Sequence, residues 1–380
     1  MNVIIWGAGR IGRGFVAELF HEGGYCVDFV DKNRELVKAL NDRGRYTIYK
    51  ADENGIRKCP MDGFFRARHT SEDLSPLFLE EYCLIDLAVF KNDLDEAADM
   101  LCPYIALRAE KLPASGLDII TNVNMVSPER AFRRLLEDRL TGAAREYLDA
   151  RVGISGIFMM CISPDATPEM LKEDPLAVYN NGFFEQGLDE TAFRGKAPAA
   201  PRLRLSRRLE AEEARKLYTL NMAHCALAYL GIRKYSTSYD AIQDGEICEV
   251  LSGALDEAAA GLTAEFGFSE DEMRQWKELI FSLLRNPYMA DPLSRLGADS
   301  LRKLSGNDRL VMPARLCMKA GRAPVQLARI LRAGYAFENA DPGTCHVQSL
   351  VKSAGLNAAV CAVSGLEKGE KLFKMITEEE

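Results

Sequence analysis

Over about the first 125 positions, short runs of consecutive apolar residues alternate with longer stretches whose apolar positions recur every three or four residues. The runs at 2–6, 26–30, 82–89 and 117–122 show no in–out alternation, so each predicts a strand buried on both faces. Strands of that kind separated by helical patterns predict a parallel sheet covered by helices on both sides. The stretches 45–49 and 58–60 read as an inserted or antiparallel piece, and 150–162 with 177–179 as strands that complete the sheet. From Glu210 onward the period is helical almost throughout, punctuated at Gly231, Asn286-Pro287, Gly321 and Asp341-Pro342-Gly343. Between the two regimes, 194–208 carries six basic residues, no acidic ones and two prolines. It reads as a linker whose charge is either a solvated face or a hold for an anion at its border.

The first strand runs directly into Gly7-Ala8-Gly9-Arg10-Ile11-Gly12, and an amphipathic helix follows. A glycine-rich turn between a strand and a helix N-terminus is a place for a dinucleotide pyrophosphate. Gly7 permits the tight turn, Gly9 admits the phosphates to the backbone N–H groups, and Gly12 lets helix and strand approach. The second strand ends at Asp31, nineteen residues past Gly12, where a carboxylate would hold a ribose 2′-hydroxyl and repel a 2′-phosphate. The cofactor expected is therefore NAD(H), held by Gly7, Ala8, Gly9, Arg10, Ile11, Gly12 and Asp31. The expected fold is α/β: a Rossmann-type dinucleotide-binding domain over 1–193, a linker over 194–209, and a mostly α-helical domain over 210–380.

Composition narrows the function without deciding it. The net charge of −8 argues against nucleic acid as a main partner. The ten cysteines form no CxxC pair and the four histidines are scattered, so no metal site is expected. The thiols read as buried groups in a reducing cytoplasm. The N-terminus has the pattern of a strand rather than of a signal peptide, and no apolar run reaches the length of a membrane span.

Candidate chemistry concentrates in 210–231, EAEEARKLYTLNMAHCALAYLG, read as one helix. Past Lys216 it is apolar on nearly every side, so Asn221 and His224 are polar groups in a buried helix and need partners. At about 100° per residue, His224 falls about 80° and Asn221 about 140° from Lys216, one broad face that climbs about 12 Å. Oxidation of a secondary alcohol needs a base, which a desolvated lysine can supply, and a donor to the developing alkoxide, which an amide can supply. A histidine can orient the substrate hydroxyl. The plainer alternative makes Lys216 a surface residue and the other two satisfied core groups.

Lys216-x4-Asn221-x2-His224 resembles the signature of the polyol-specific long-chain dehydrogenase/reductase family. The resemblance extends to WGAGRIGRGF at the start, to Phe193-Arg194-Gly195, to Arg285-Asn286-Pro287-Tyr288, and to the segment from Leu301 to Leu310. It implies a Rossmann domain followed by a helical domain, with Lys216 as general base, Asn221 as stabiliser of the alkoxide or carbonyl, and His224 binding substrate. Asn124 matches the family's second active-site asparagine. Arg302, Lys303 and Arg309 lie in the segment that faces substrate in relatives, and suit a phosphate or carboxylate unless they form only a supporting ion-pair network. The partner implied is a small polyol or ketose, phosphorylated by the closest resemblance, taken by a monomer or small homo-oligomer. Mannitol 1-phosphate and fructose 6-phosphate or a close analogue lead. An unphosphorylated polyol or a hexuronate, and an NAD(H)-binding sensor without turnover, are the alternatives. The chain departs from the family at Met160-Cys161, where relatives carry Asp-Arg, at Phe90, where they carry glycine, and before Asn124. These departures bear on the substrate more than on the reaction.

Overall fold

The computed structural model describes residues 1–378 apart from Glu53, Val126, Met160 and 183–185. Met160, half of the pair that replaces the family's Asp-Arg, thus lies outside the described residues. The chain divides into two compact units, Met1–Leu209 and Glu210–Glu380.

In the first unit the strands are β1 (Asn2–Trp6), β2 (Cys26–Asp31), β3 (Arg45–Asp52), β4 (Gly55–Asp62), β5 (Phe65–His69), β6 (Cys83–Leu87), β7 (Leu117–Thr121), β8 (Val152–Ser155), β9 (Ile157–Met159), β10 (Val178–Asn180), β11 (Gln186–Asp189) and β12 (Leu203–Ser206). The main sheet has the order β5-β2-β1-β6-β7-β8, and every pair in it is parallel. Its strands are apolar on both faces because both are covered. On one face Ile4, Trp6, Ile85 and Ile119 meet Leu101, Ile105, Phe132 and Leu136 from the helices Leu94–Lys111 and Pro128–Glu137. On the other, Val3, Ile5 and Ile120 meet Val16, Ala17 and Phe20 from the helical run that follows the glycine turn.

The inserted piece is a β3–β4 antiparallel pair, as its pattern predicts. Two other strand expectations need correction. Only β8 of the 150–162 stretch joins the main sheet, while β9 turns away to pair antiparallel with β11. Residues 178–180 pair with β3 instead of completing the main sheet. The edge strand β5 goes unpredicted, because FRARH is half polar and reads as a loop. The basic stretch 194–209 contains β12, which pairs parallel with β11. Within it, the Arg194 and Gly195 N–H groups donate at 2.7 and 2.8 Å to the buried Asp118 carboxylate, and a Cβ at Gly195 would stand 2.4 Å from the Tyr82 ring, which accounts for the glycine.

The second unit is helical. Its central helix, Leu220–Gly231, packs against Ser238–Ile242, Gly245–Phe266, Leu293–Gly297 and Val325–Tyr335. Gly231 closes that helix as its pattern predicts. Asp341, read as part of a stop, is an N-cap: its carboxylate accepts from the Thr344 N–H at 3.0 Å and opens the helix Pro342–Ser364. Among the described residues no helix is long and apolar enough to cross a membrane. The expectation of buried thiols holds for Cys83, Cys225 and Cys317, whereas Cys26 and Cys345 are exposed and the other five lie between. An apolar neighbourhood in sequence does not by itself place a side chain under the surface.

Candidate active site

In the first unit the glycine loop has the geometry its sequence requires. Gly7 sits at φ +108°, and a side chain there would meet the Ala88 carbonyl oxygen at 2.2 Å. A Cβ at Gly12 would stand 2.0 Å from the Gly7 oxygen and 3.2 Å from the Ile5 side chain, so only glycine lets the helix start this close to β1. Gly9 differs: a Cβ there would meet nothing within 4 Å, which leaves open space beside its backbone. Asp31 is brought to this loop, accepting from the Ala8 N–H at 2.7 Å and from the Asn33 N–H at 2.8 Å. Arg10 pairs with Asp165 at 2.6 Å on the surface, and Ile11 packs partly into the core. A clear approach at Gly9, a helix N-terminus behind it and a carboxylate at the end of β2 fit a dinucleotide. Asn124 stands exposed in the bend after β7.

A buried polar cluster at the same sheet was not anticipated. Asp86 on β6 is fully buried, and the amides of Asn122 and Gln186, both buried, face its carboxyl without reaching hydrogen-bond geometry. Burial pushes the Asp86 pKa up to about 7, against a smaller opposing pull from the two amides. The available signal was a lone acid inside the apolar run of β6.

In the second unit the expected single helix is two. Leu209–Tyr218 carries Lys216 and Leu220–Gly231 carries Asn221 and His224. Thr219 between them sits at φ −123°, ψ −74°, outside helical values. The angular placement of Lys216 expected from an unbroken helix therefore does not hold, whereas Asn221 and His224 share one helix. On that helix Asn221, His224 and Leu230 are partly buried and the other positions are buried. Lys216 is likewise half-buried. Burial lowers the His224 pKa to about 4; Asp291 opposes this, while Arg309, Arg295 and Lys303 reinforce it. The imidazole is thus neutral near neutral pH.

Arg302, Lys303 and Arg309 gather, but with partners of their own. Arg302 pairs with Asp299 at 2.7 Å and Asp308 at 3.1 Å, and Arg309 pairs with Asp308 at 2.6 Å. Lys303 is buried, donates to the Leu296 carbonyl at 2.7 Å, and has its pKa lowered chiefly by burial. Among the described residues no group of three or more His, Cys, Asp or Glu side chains is placed to hold a metal ion.

Comparison with known proteins covers nearly the whole chain. Residues 1–202 match the mannitol dehydrogenase Rossmann domain, and 208–377 match the mannitol dehydrogenase C-terminal domain. A mannitol-1-phosphate 5-dehydrogenase of Bacillus licheniformis is 33% identical over 99% of this chain and 98% of its own. Among solved structures, a substrate-free D-sorbitol dehydrogenase superposes with a TM-score of 0.84 at 13% identity, over 99% of this chain and 91% of that one. Mannitol 2-dehydrogenase of Pseudomonas fluorescens, in a ternary complex with NAD and D-mannitol, gives 0.71 at 15% identity, over 99% and 87%. At such identities the two structures speak for the fold.

Proposed function

The chain belongs to the mannitol dehydrogenase family, as an NAD-dependent polyol dehydrogenase, and on that premise we propose that it interconverts mannitol 1-phosphate and fructose 6-phosphate, or a close analogue. One structural observation carries the site: on a helix otherwise almost wholly buried, the polar pair Asn221 and His224 keeps its access, with half-buried Lys216 just ahead of it. The full-length similarity to a mannitol-1-phosphate 5-dehydrogenase supports the phosphorylated substrate.

In this reading the glycine loop holds the pyrophosphate and Asp31 the adenosine ribose. When bound, NAD(H) supplies the hydride acceptor or donor. Lys216 takes the hydroxyl proton of the alcohol and returns it to the alkoxide in the reverse direction. Asn221 donates its amide N–H to the oxygen on which negative charge develops, and Asn124 is assigned as a further active-site amide on its resemblance to the family's. His224, neutral across the working range, holds a substrate hydroxyl by hydrogen bonding and carries no charge of its own. Arg302, Lys303 and Arg309 supply positive charge for a phosphate. We place the chain in the cytoplasm as a monomer or small homo-oligomer, a location that its ten free cysteines support.

A second reading keeps the reaction and removes the phosphate. Arg302 and Arg309 already meet the carboxylates of Asp299 and Asp308, which favours an unphosphorylated, uncharged polyol over an anionic substrate. NADH oxidation with fructose 6-phosphate and with fructose, side by side, separates the two. Turnover with the phosphate alone supports the first reading, and turnover with fructose alone overturns it. Lys216→Ala should abolish turnover and leave NADH affinity within about threefold; equal loss of both would remove Lys216 from the role of base.

A further inference from the structure

The break between the two helices has a specific anchor. Thr219 is 1% exposed, and its hydroxyl donates to the carbonyl of Arg215, one turn back. A threonine bonded to its i−4 carbonyl bends a helix. The same oxygen accepts the indole N–H of Trp276 at 2.8 Å. Indole N–H can only donate, so the hydroxyl hydrogen is left for Arg215 and the rotamer is determined. Trp276, buried on the helix Glu270–Leu284, holds the turn a second time: the Arg215 guanidinium carbon lies 4.1 Å from its ring centroid and 4.8 Å from that of Phe268. One side chain thus grips the residue before Lys216 through its ring face and the residue at the bend through its N–H.

We propose that Trp276 is a positioning residue, which acts through Thr219 and Arg215 to set how Lys216 is presented relative to Asn221 and His224. The inference rests on the reading of Lys216 as the base. Its energetic logic is that of orientation: a displacement of about 1 Å in a reacting group can cost about 100-fold in rate without loss of binding.

The test compares Trp276→Phe, Thr219→Val and Thr219→Ser in fructose 6-phosphate reduction by NADH. Phenylalanine keeps a ring face for Arg215 and removes the N–H. Valine keeps the shape of threonine and removes both hydroxyl bonds. Serine retains the hydroxyl. Trp276→Phe and Thr219→Val should lower kcat by about 10- to 100-fold, leave KM and NADH affinity within about threefold, and move the pH at which the base limb of kcat turns over. Thr219→Ser should stay within about threefold of the parent on every measure. Parental kcat and pH profile in both Trp276→Phe and Thr219→Val overturn the proposal. So does an equal loss in Thr219→Ser and Thr219→Val, which would mark the site as packing alone. If Trp276→Phe does not fold, the serine–valine pair decides. Lys216→Met tests the underlying reading separately: retained turnover there removes the base assignment whatever the bend variants do.

Discussion

Asp86→Asn should make the first unit less sensitive to alkali, by an amount that follows from the burial of one carboxyl. In the folded unit Asp86 keeps its proton up to about pH 7, because the strand around it is fully buried. In the unfolded chain the same group ionises near 3.8, the ordinary value for an aspartic acid. Its folded pKa is raised, so it is neutral with respect to folding below the unfolded value and costs stability as the pH climbs from there towards 7. Above that the loss is constant. At about 1.4 kcal/mol per pH unit the full penalty is about 4 kcal/mol, of which about 3 kcal/mol accrues between about pH 5 and pH 8. Asparagine has the shape of the protonated acid and cannot ionise. The stability of Asp86→Asn relative to the parent should therefore rise by about 3 kcal/mol across that window. Urea unfolding followed by Trp6 fluorescence in a Trp276→Phe background reports the first unit, since Trp6 is buried on β1 and pairs with Leu87, next to Asp86. A reporter confined to one unit matters because a chain of two units need not unfold in one step. A difference between variant and parent that stays flat from about pH 5 to pH 8 would refute the argument from burial.

Three further outcomes are expected. Gly12→Ala should lose NADH affinity by about 100-fold or more, because its methyl group would overlap the Gly7 carbonyl, whereas Gly9→Ala should keep parental thermal stability and show any loss in affinity alone; a Gly12→Ala protein with parental affinity removes the loop from the cofactor site. Asp31→Ala should shift the NADPH-to-NADH preference towards NADPH by about tenfold or more, about 1.4 kcal/mol, and an unchanged ratio would sink the ribose assignment. Burial holds the His224 pKa at about 4, so its neutral form adds stability above about pH 6.5 that is lost as the pH falls towards 4, and His224→Asn should lower kcat/KM without removing any limb of the profile between about pH 5 and pH 9; a limb near neutrality that vanishes in the variant contradicts a neutral imidazole.

Local rules already gave β1, the glycine turn and the acid at the end of β2, since a strand, three glycines and a carboxylate at set spacing leave the backbone one way to run. They also gave the parallel central strands, whose unbroken apolar runs exist because both faces are covered. The candidate residues Lys216, Asn221 and His224 were legible because polar groups in an apolar helix call for an explanation. Periodicity could not give the break at Thr219, whose hydroxyl is also held by an indole fifty-seven residues away in sequence. Nor could it give the strand partners of 157–159 and 178–180, since a short apolar run carries no record of which edge it will meet. The burial that changes the titration of Asp86 and His224 depends on what the folded chain packs around each group. Sequence by itself determined the candidate groups and, at the glycine turn, the local backbone around them. Tertiary structure alone decided the protonation of Asp86 and His224 and the indole partner of the Thr219 hydroxyl, because desolvation and long-range hydrogen bonds come into being only when distant segments are packed together.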